Sequence, residues 1–201
     1  MQTVDAKVLS RIYGSGRGMI CSPNDFYDLG GRAAIDKVLS RMAAKGTVRR
    51  LARGLYEYPK IHPEFGILSP DIDKVAKALA RKYQIRLQPA GAYAANLLGL
   101  SEQVPAKVAF LTDGPTRTLK IGRQEIRLRH TTPGNMATAG RLSGLLMQAL
   151  RNIGKQNVTT VRLQHLRRTV PLKERLKLLK DLSLVPAWMH EFFRELAKGD
   201  S

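Results

Sequence analysis

Residues able to act as nucleophiles, general bases or metal ligands are few and far apart in this chain. The single cysteine, Cys21, and the four histidines, His62, His130, His165 and His190, show no ligand spacing, so neither a structural zinc site nor a disulfide framework is expected. No histidine has a partner that would complete a recognisable triad. Asp113 and Glu125 lack the nearby lysine and third acid of a metal nuclease centre. Gly14-Ser15-Gly16-Arg17-Gly18 is rich in glycine, but it follows a helical pattern rather than a strand and lacks the Lys-Ser/Thr of a phosphate loop. It reads as a flexible helix exit, with Arg17 free to touch a nucleic-acid backbone. These residues predict no enzyme, no catalytic residue, no metal and no cofactor.

What the sequence does offer is cationic. Lys and Arg number 34 against 16 Asp and Glu, a formal net charge of +18 over 201 residues. The excess has no basic tail: eleven cations face five acids in residues 1–60, eleven face six in 61–130, and twelve face five in 131–201. A folded polycation of this kind points to a polyanionic partner. Arg49, Arg50 and Arg53 crowd into five residues. In an extended strand Arg49 and Arg50 point to opposite sides, and Arg53 stands beside Gly54 at a turn, where a forked donor reaches farthest towards phosphate or the minor groove. The plainer reading of the same charges is a solvated hairpin.

The elements that would position these cations follow from periodicity. Val4, Val8, Leu9 and Ile12 predict a first helix over 4–13. Ser22-Pro23-Asn24-Asp25 is a helix start and predicts a short second helix to about residue 29. Ile35, Val38, Leu39 and Met42 define a third helix over 32–45, stopped by Gly46 in the C′ position. Strand, tight turn and strand are predicted over 47–58 and end at Pro59. Three helices and a hairpin in this order are the plan of a winged helix-turn-helix, whose third helix enters the major groove. That helix would present Arg32, Lys37, Ser40 and Arg41 on its outer face, and the wing would present Arg49, Arg50 and Arg53.

Residues 61–69 read as a linker, and Ser69-Pro70-Asp71 as the start of a second domain. There the pattern predicts a helix over 72–83, a strand over 85–88, an Ala-rich helix over 90–98, a strand over 107–111 and a hairpin about Gly122-Arg123. Beyond Pro133 only helices are predicted, with Trp188 and Met189 as core of a late one. The expected fold class is α+β: a winged helix-turn-helix in 1–60, then a mixed α/β domain in 70–201 that ends in a helical region. No run of about 18 apolar residues is present, and the first residues lack a secretory signal, so the chain is expected in the cytoplasm and not in a membrane.

Several segments resemble the AbiEi-like antitoxin family. They are Arg17-Gly-Met-Ile20, Leu39-Ser-Arg41, the run from Gly46 to Tyr56, Pro89-Ala-Gly-Ala-Tyr-Ala-Ala-Asn96, Leu98-Gly-Leu-Ser-Glu-Gln-Val-Pro105 and Leu111-Thr-Asp-Gly114. The resemblance covers residues 5–150, and its most distinctive block is 96–105. It implies a bacterial repressor that binds its own operator through the winged helix and counteracts a nucleotidyltransferase toxin in a type IV toxin–antitoxin pair, without a stable complex. Polar residues of the second domain are then candidates for the antitoxin surface: Asn96, Gln103, Arg117, Lys120, Arg123 and Arg127. The competing expectation is an RNA-binding or ribosome-associated protein. Aromatic residues at 6% give such a protein few stacking platforms, Tyr56 and Tyr58 among them.

Overall fold

A computed structural model describes residues 3–103 and 105–199. The chain divides into two compact units, one of residues 1–85 with 119–123, the other of 86–118 with 124–201.

The first unit begins with α1 (Val4–Ser15), whose Thr3 hydroxyl accepts from Ala6 N and caps the helix. Strand β1 (Met19–Cys21) follows. The expected second helix is only a 3₁₀ helix, Pro23–Phe26. Asp25 reaches back to Ser22 N at 2.7 Å, and Asp28, one turn on, is drawn to Arg11 by two bonds of 2.8 and 2.7 Å, so the chain turns away before a second α-turn can form. Helix α2 (Arg32–Ala44) ends as the sequence predicts. Gly46, at φ 73°, occupies C′, and Thr47 N and Gly46 N bond to the carbonyls of Met42 and Ala43 in a Schellman arrangement. Strands β2 (Arg49–Ala52) and β3 (Leu55–Tyr58) form the hairpin, and β1 joins it to give the sheet order β1-β3-β2. In the sequence β1 is no more than the short apolar run Met19-Ile20-Cys21. The core holds Val8 and Ile12 of α1, Cys21, Phe26, the α2 stripe Ile35, Val38, Leu39 and Met42, and Val48 and Tyr56.

Two expectations about organisation are corrected. The stretch 61–69 is a small ladder rather than an open linker, with β4 (Ile61–His62) paired to β5 (Gly66–Ile67). Helix α3 (Ile72–Tyr83), expected to open the second domain, belongs to the first unit. Its N-cap is Asp71, not Ser69, and its cations reach β1 and its surroundings: Lys74 donates to Gly18 O, Arg81 to Ile20 O and Asp25, and Lys82 to Arg53 O. Those contacts join segments too far apart in sequence for any local pattern to reveal.

The second unit is built on β6 (Leu87–Ala90), α4 (Gly91–Leu97), β7 (Lys107–Thr112) and β9 (Gln124–His130), with its strands in the order β6-β7-β9; β8 (Arg117–Ile121), whose residues 119–121 are counted with the first unit, precedes β9 in the chain. Strand β7 runs antiparallel to β6 and parallel to β9. Then come α5 (Pro133–Met136), α6 (Leu142–Ile153), α7 (Thr160–Thr169), α8 (Leu172–Leu176) and α9 (His190–Ala197), joined by 3₁₀ helices at Lys155–Asn157, Lys177–Leu184 and Ala187–Met189. Ala94, Ala95, Leu146, Leu150, Leu166, Met189 and Phe193 centre the helical core. The chain is thus α+β with a helical C-terminal region, as the sequence predicts.

Helix α6 approaches the loop before it so closely that one position admits no side chain. A Cβ on Gly144 would lie 2.3 Å from Thr138 O and 2.6 Å from Gln88 Oε1, and Gln88, itself buried, also accepts from Gly140 N at 3.2 Å. Gly-to-Ala in a helix interior ordinarily stabilises by about 1 kcal/mol. Here overpacking dominates, and Gly144→Ala is expected to destabilise by about 1–3 kcal/mol, read as a lowered urea midpoint.

Candidate nucleic-acid interface

The outer face of α2 is set by what its inner face buries. With Ile35, Val38, Leu39 and Met42 inward, Arg32, Ala33, Asp36, Lys37, Ser40 and Arg41 are all exposed. Ala33 and Ser40 are short enough for close approach to a duplex. Arg32 stands 4.0 Å from Asp36, at the limit of an exposed ion pair, and keeps its guanidinium in solvent. Lys37 and Ser40 lie in the middle of the face. Arg41 differs, because its Nη2 donates to both carboxylate oxygens of Asp5, at 2.7 and 2.6 Å, tying α2 to α1. It is a clamp between helices rather than a free reader.

The hairpin arginines separate in the same way. Arg49 bonds to the carboxylate of Glu57, directly opposite it in the β2–β3 register, and donates to Leu68 O at 2.6 Å. Glu57 is 3% exposed and Arg49 30%, so this pair is part of the sheet's interior and not a hand held out to a ligand. Arg50, the next residue, points the other way and is exposed. Arg53 is exposed at the two-residue turn closed by the Ala52–Leu55 pair, where Gly54 has φ 62°. Lys82 donates to the Arg53 carbonyl, which fixes the backbone of the turn and leaves the guanidinium outside. Arg17 is exposed but engaged: it donates to Pro59 O at 3.0 Å and lies over the Tyr58 ring at 4.8 Å. Of the eight cationic and polar residues singled out in this unit, Arg32, Lys37, Ser40, Arg50 and Arg53 are presented to solvent, while Arg17, Arg41 and Arg49 are used in holding the unit together. Sequence spacing missed Lys74, Arg81 and Lys82, whose bonds to β1, the 3₁₀ helix and the hairpin turn stiffen the same unit.

Of the candidate antitoxin residues, Asn96, Gln103, Arg117 and Arg127 lie in the second unit and Lys120 and Arg123 in the first. Asn96 donates to Ser101 O at 3.1 Å and closes the loop after α4. Gln103 is exposed on a groove of about 640 Å³ shared with Asn152, Asn157 and Arg162. Lys120 and Arg123 are exposed on the β8–β9 hairpin, Arg117 is exposed on β8, and Arg127 is paired with Glu125. Asp113 accepts from Arg86 N and Nε, at 2.8 Å each, and those hydrogen bonds hold its carboxyl below the ordinary carboxylate range.

The reactive side chains are likewise in structural use. Burial pushes the Cys21 thiol up to about 12, with the Asp25 carboxylate adding to the rise, so it stays protonated at neutral pH. Each histidine bonds to backbone: His62 to Glu64 N, His130 to Gly114 O, His165 to Leu98 O and His190 to Val185 O. Among the described residues no three metal-binding side chains come together. Met189 is fully buried, and Trp188 meets Phe192 edge-on at 6.2 Å, a packing role.

Fold and surface together define a strongly basic α+β protein of two compact units with an exposed cationic helix face. The chain belongs to the family DUF6088, described as a family of unknown function, which matches residues 7–178. No curated protein matches it. Among solved structures it is similar to the RV2827C protein from Mycobacterium tuberculosis, with a TM-score of 0.48 and 14% identity over 100% of this chain and 84% of that one.

The division of the arginines is open to direct measurement. Arg49→Ala leaves the Glu57 carboxylate buried without its cation and is expected to destabilise by about 2 kcal/mol, below the usual cost of breaking a buried pair because Arg49 keeps one side in water. Arg50→Ala is expected to change stability by less than about 0.5 kcal/mol. Equal unfolding midpoints for the two variants would place Arg49 on the surface with its neighbour.

Proposed function

We propose that the first unit is a winged helix-turn-helix that binds duplex DNA, and that the chain is a transcriptional repressor of its own operon, acting as antitoxin to a nucleotidyltransferase-like toxin. The observation that carries the DNA-binding part is the exposed face of α2, with Lys37 and Ser40 at its centre and Arg32 at its N-terminal flank, and a hairpin of the same unit that exposes Arg50 and Arg53. An α-helix fits the major groove, where cations and hydroxyls meet base edges, while a hairpin turn beside it meets backbone or minor groove. The order helix, strand, helical turn, helix and hairpin, with β1 completing the sheet, supports the same reading. RNA stacking is less well served: Tyr56 is buried in the core and Tyr58 lies under Arg17, so neither offers an open ring face. The antitoxin part rests on the resemblance of residues 89–105 to the AbiEi-like family.

Titration of the full chain against its own upstream duplex and against random duplex tests the proposal. Lys37→Ala and Arg32→Ala are expected to narrow the preference for the upstream duplex, each bidentate base contact being worth about 1–3 kcal/mol. Arg53→Ala is expected to lower affinity for both duplexes and to flatten the salt dependence by about one unit of slope. Where a nucleotidyltransferase-like gene is found beside this one, cells expressing it are expected to be rescued by the Arg32/Lys37 double variant, which loses repression. Tighter binding to structured RNA than to either duplex would overturn the DNA reading.

A further inference from the structure

The second unit carries an unpartnered ridge that DNA binding does not use. Leu172, Leu176 and Leu179 stand at i, i+4 and i+7 along the continuous helical run made by α8 and the 3₁₀ helix Lys177–Leu184, a spacing that puts them on one side. They are 37%, 48% and 44% exposed, and Leu184 farther on is 42% exposed. The run is rigidly seated from its other side. Arg175 is buried and donates to the carbonyls of Val170, Leu196 and Lys198, Leu178 is buried in the helical core, and Asp181 is buried against Arg141 and Ser143. A single exposed leucine needs no explanation, but three in register on an anchored helix do.

The sequence beside the ridge is as regular as the ridge. Each of the three leucines is followed by an exposed lysine, Lys173, Lys177 and Lys180, so a row of cations runs along the row of leucines one residue around the helix. Glu174 pairs with Lys177 at 2.6 Å and neutralises only one of them. We propose that this ridge docks an amphipathic helix of a partner protein whose apolar stripe is bordered by Asp and Glu. Leucine against leucine supplies the buried area, and an acidic row set against the lysine row fixes register and orientation, as flanking charges do between paired helices. A second copy of this chain fits badly, because a twofold contact presents the same patch from both sides and sets lysine row against lysine row. A membrane fits badly too: leucines already more than half covered by neighbours do not reach the roughly 5–10 Å depth of an interfacial helix.

The test uses the full chain and a labelled helical peptide with leucines at i, i+4 and i+7 and glutamates alongside them, compared with the same peptide carrying lysines for glutamates. The acidic peptide is expected to bind, more weakly as salt rises, and the basic one not to bind. Leu176→Asp is expected to weaken binding by at least about tenfold, the loss of a central apolar contact. The pair Lys173→Glu and Lys180→Glu, both at exposed positions, is expected to weaken the acidic peptide and admit the basic one. Far-ultraviolet circular dichroism confirms that each variant is folded, and Leu179→Gln serves in place of any that is not. Absence of binding, equal binding of both peptides, or binding to phosphatidylcholine–phosphatidylglycerol vesicles that Leu176→Asp abolishes would each overturn the proposal. So would a concentration-dependent dimer that the same substitution dissolves.

Discussion

Ile35, Val38, Leu39 and Met42 can leave water together only if the opposite side of α2 faces out, and the candidate interface depends on that one constraint. Burying such side chains is worth roughly 1.5–3 kcal/mol each, far more than any surface contact made by Arg32 or Lys37. The apolar stripe therefore orients the helix, and the polar residues between its members are carried to the surface as a geometric consequence. The Schellman turn at Gly46 then fixes where the chain leaves α2 and enters the hairpin, so that β2 begins within a few residues of the exposed face.

The same unit shows how a large positive charge is put to two uses. Arg11 on Asp28, Arg41 on Asp5, Arg49 on Glu57 and Arg81 on Asp25 each join separate segments, and together they engage four of the eight acids in residues 1–85. The exposed cations outside those pairs, Lys37, Arg50 and Arg53 among them, contribute to a positive surface field. The buried Arg49–Glu57 pair is the costly member of the set, since desolvation offsets much of its attraction. It is a device for fixing the strand pairing rather than a source of net stability.

In the second unit glycine and buried polar groups set the geometry. Gly144 lets α6 touch the Thr138 carbonyl, and Gly99, at φ 66°, leaves no room for a Cβ beside the His165 ring. Asn96 bonds across the same turn and shapes the loop after α4. Packing of the loop accounts for Asn96 and Gly99, while Gln103 is exposed.

The sequence by itself determined the helices with strong periodicity, the hairpin about Arg53-Gly54, the stop at Gly46 and the helical C-terminal region. Each depends on residues within one or two turns of one another, and propensity and capping act at that range. It also determined which side of α2 is polar. Only the tertiary structure decided that α3 belongs with the first unit, that β1 completes the sheet, and that β7 and β9 pair in parallel although β8 comes between them in the sequence. It alone separated the cations presented to solvent from those that bind carbonyls and carboxylates of the protein itself. Arg49 and Arg50 are identical in type and adjacent in sequence. Their fates differ because one faces Glu57 across the sheet and the other faces water, and a partner eight residues away becomes a neighbour only when the strands pair.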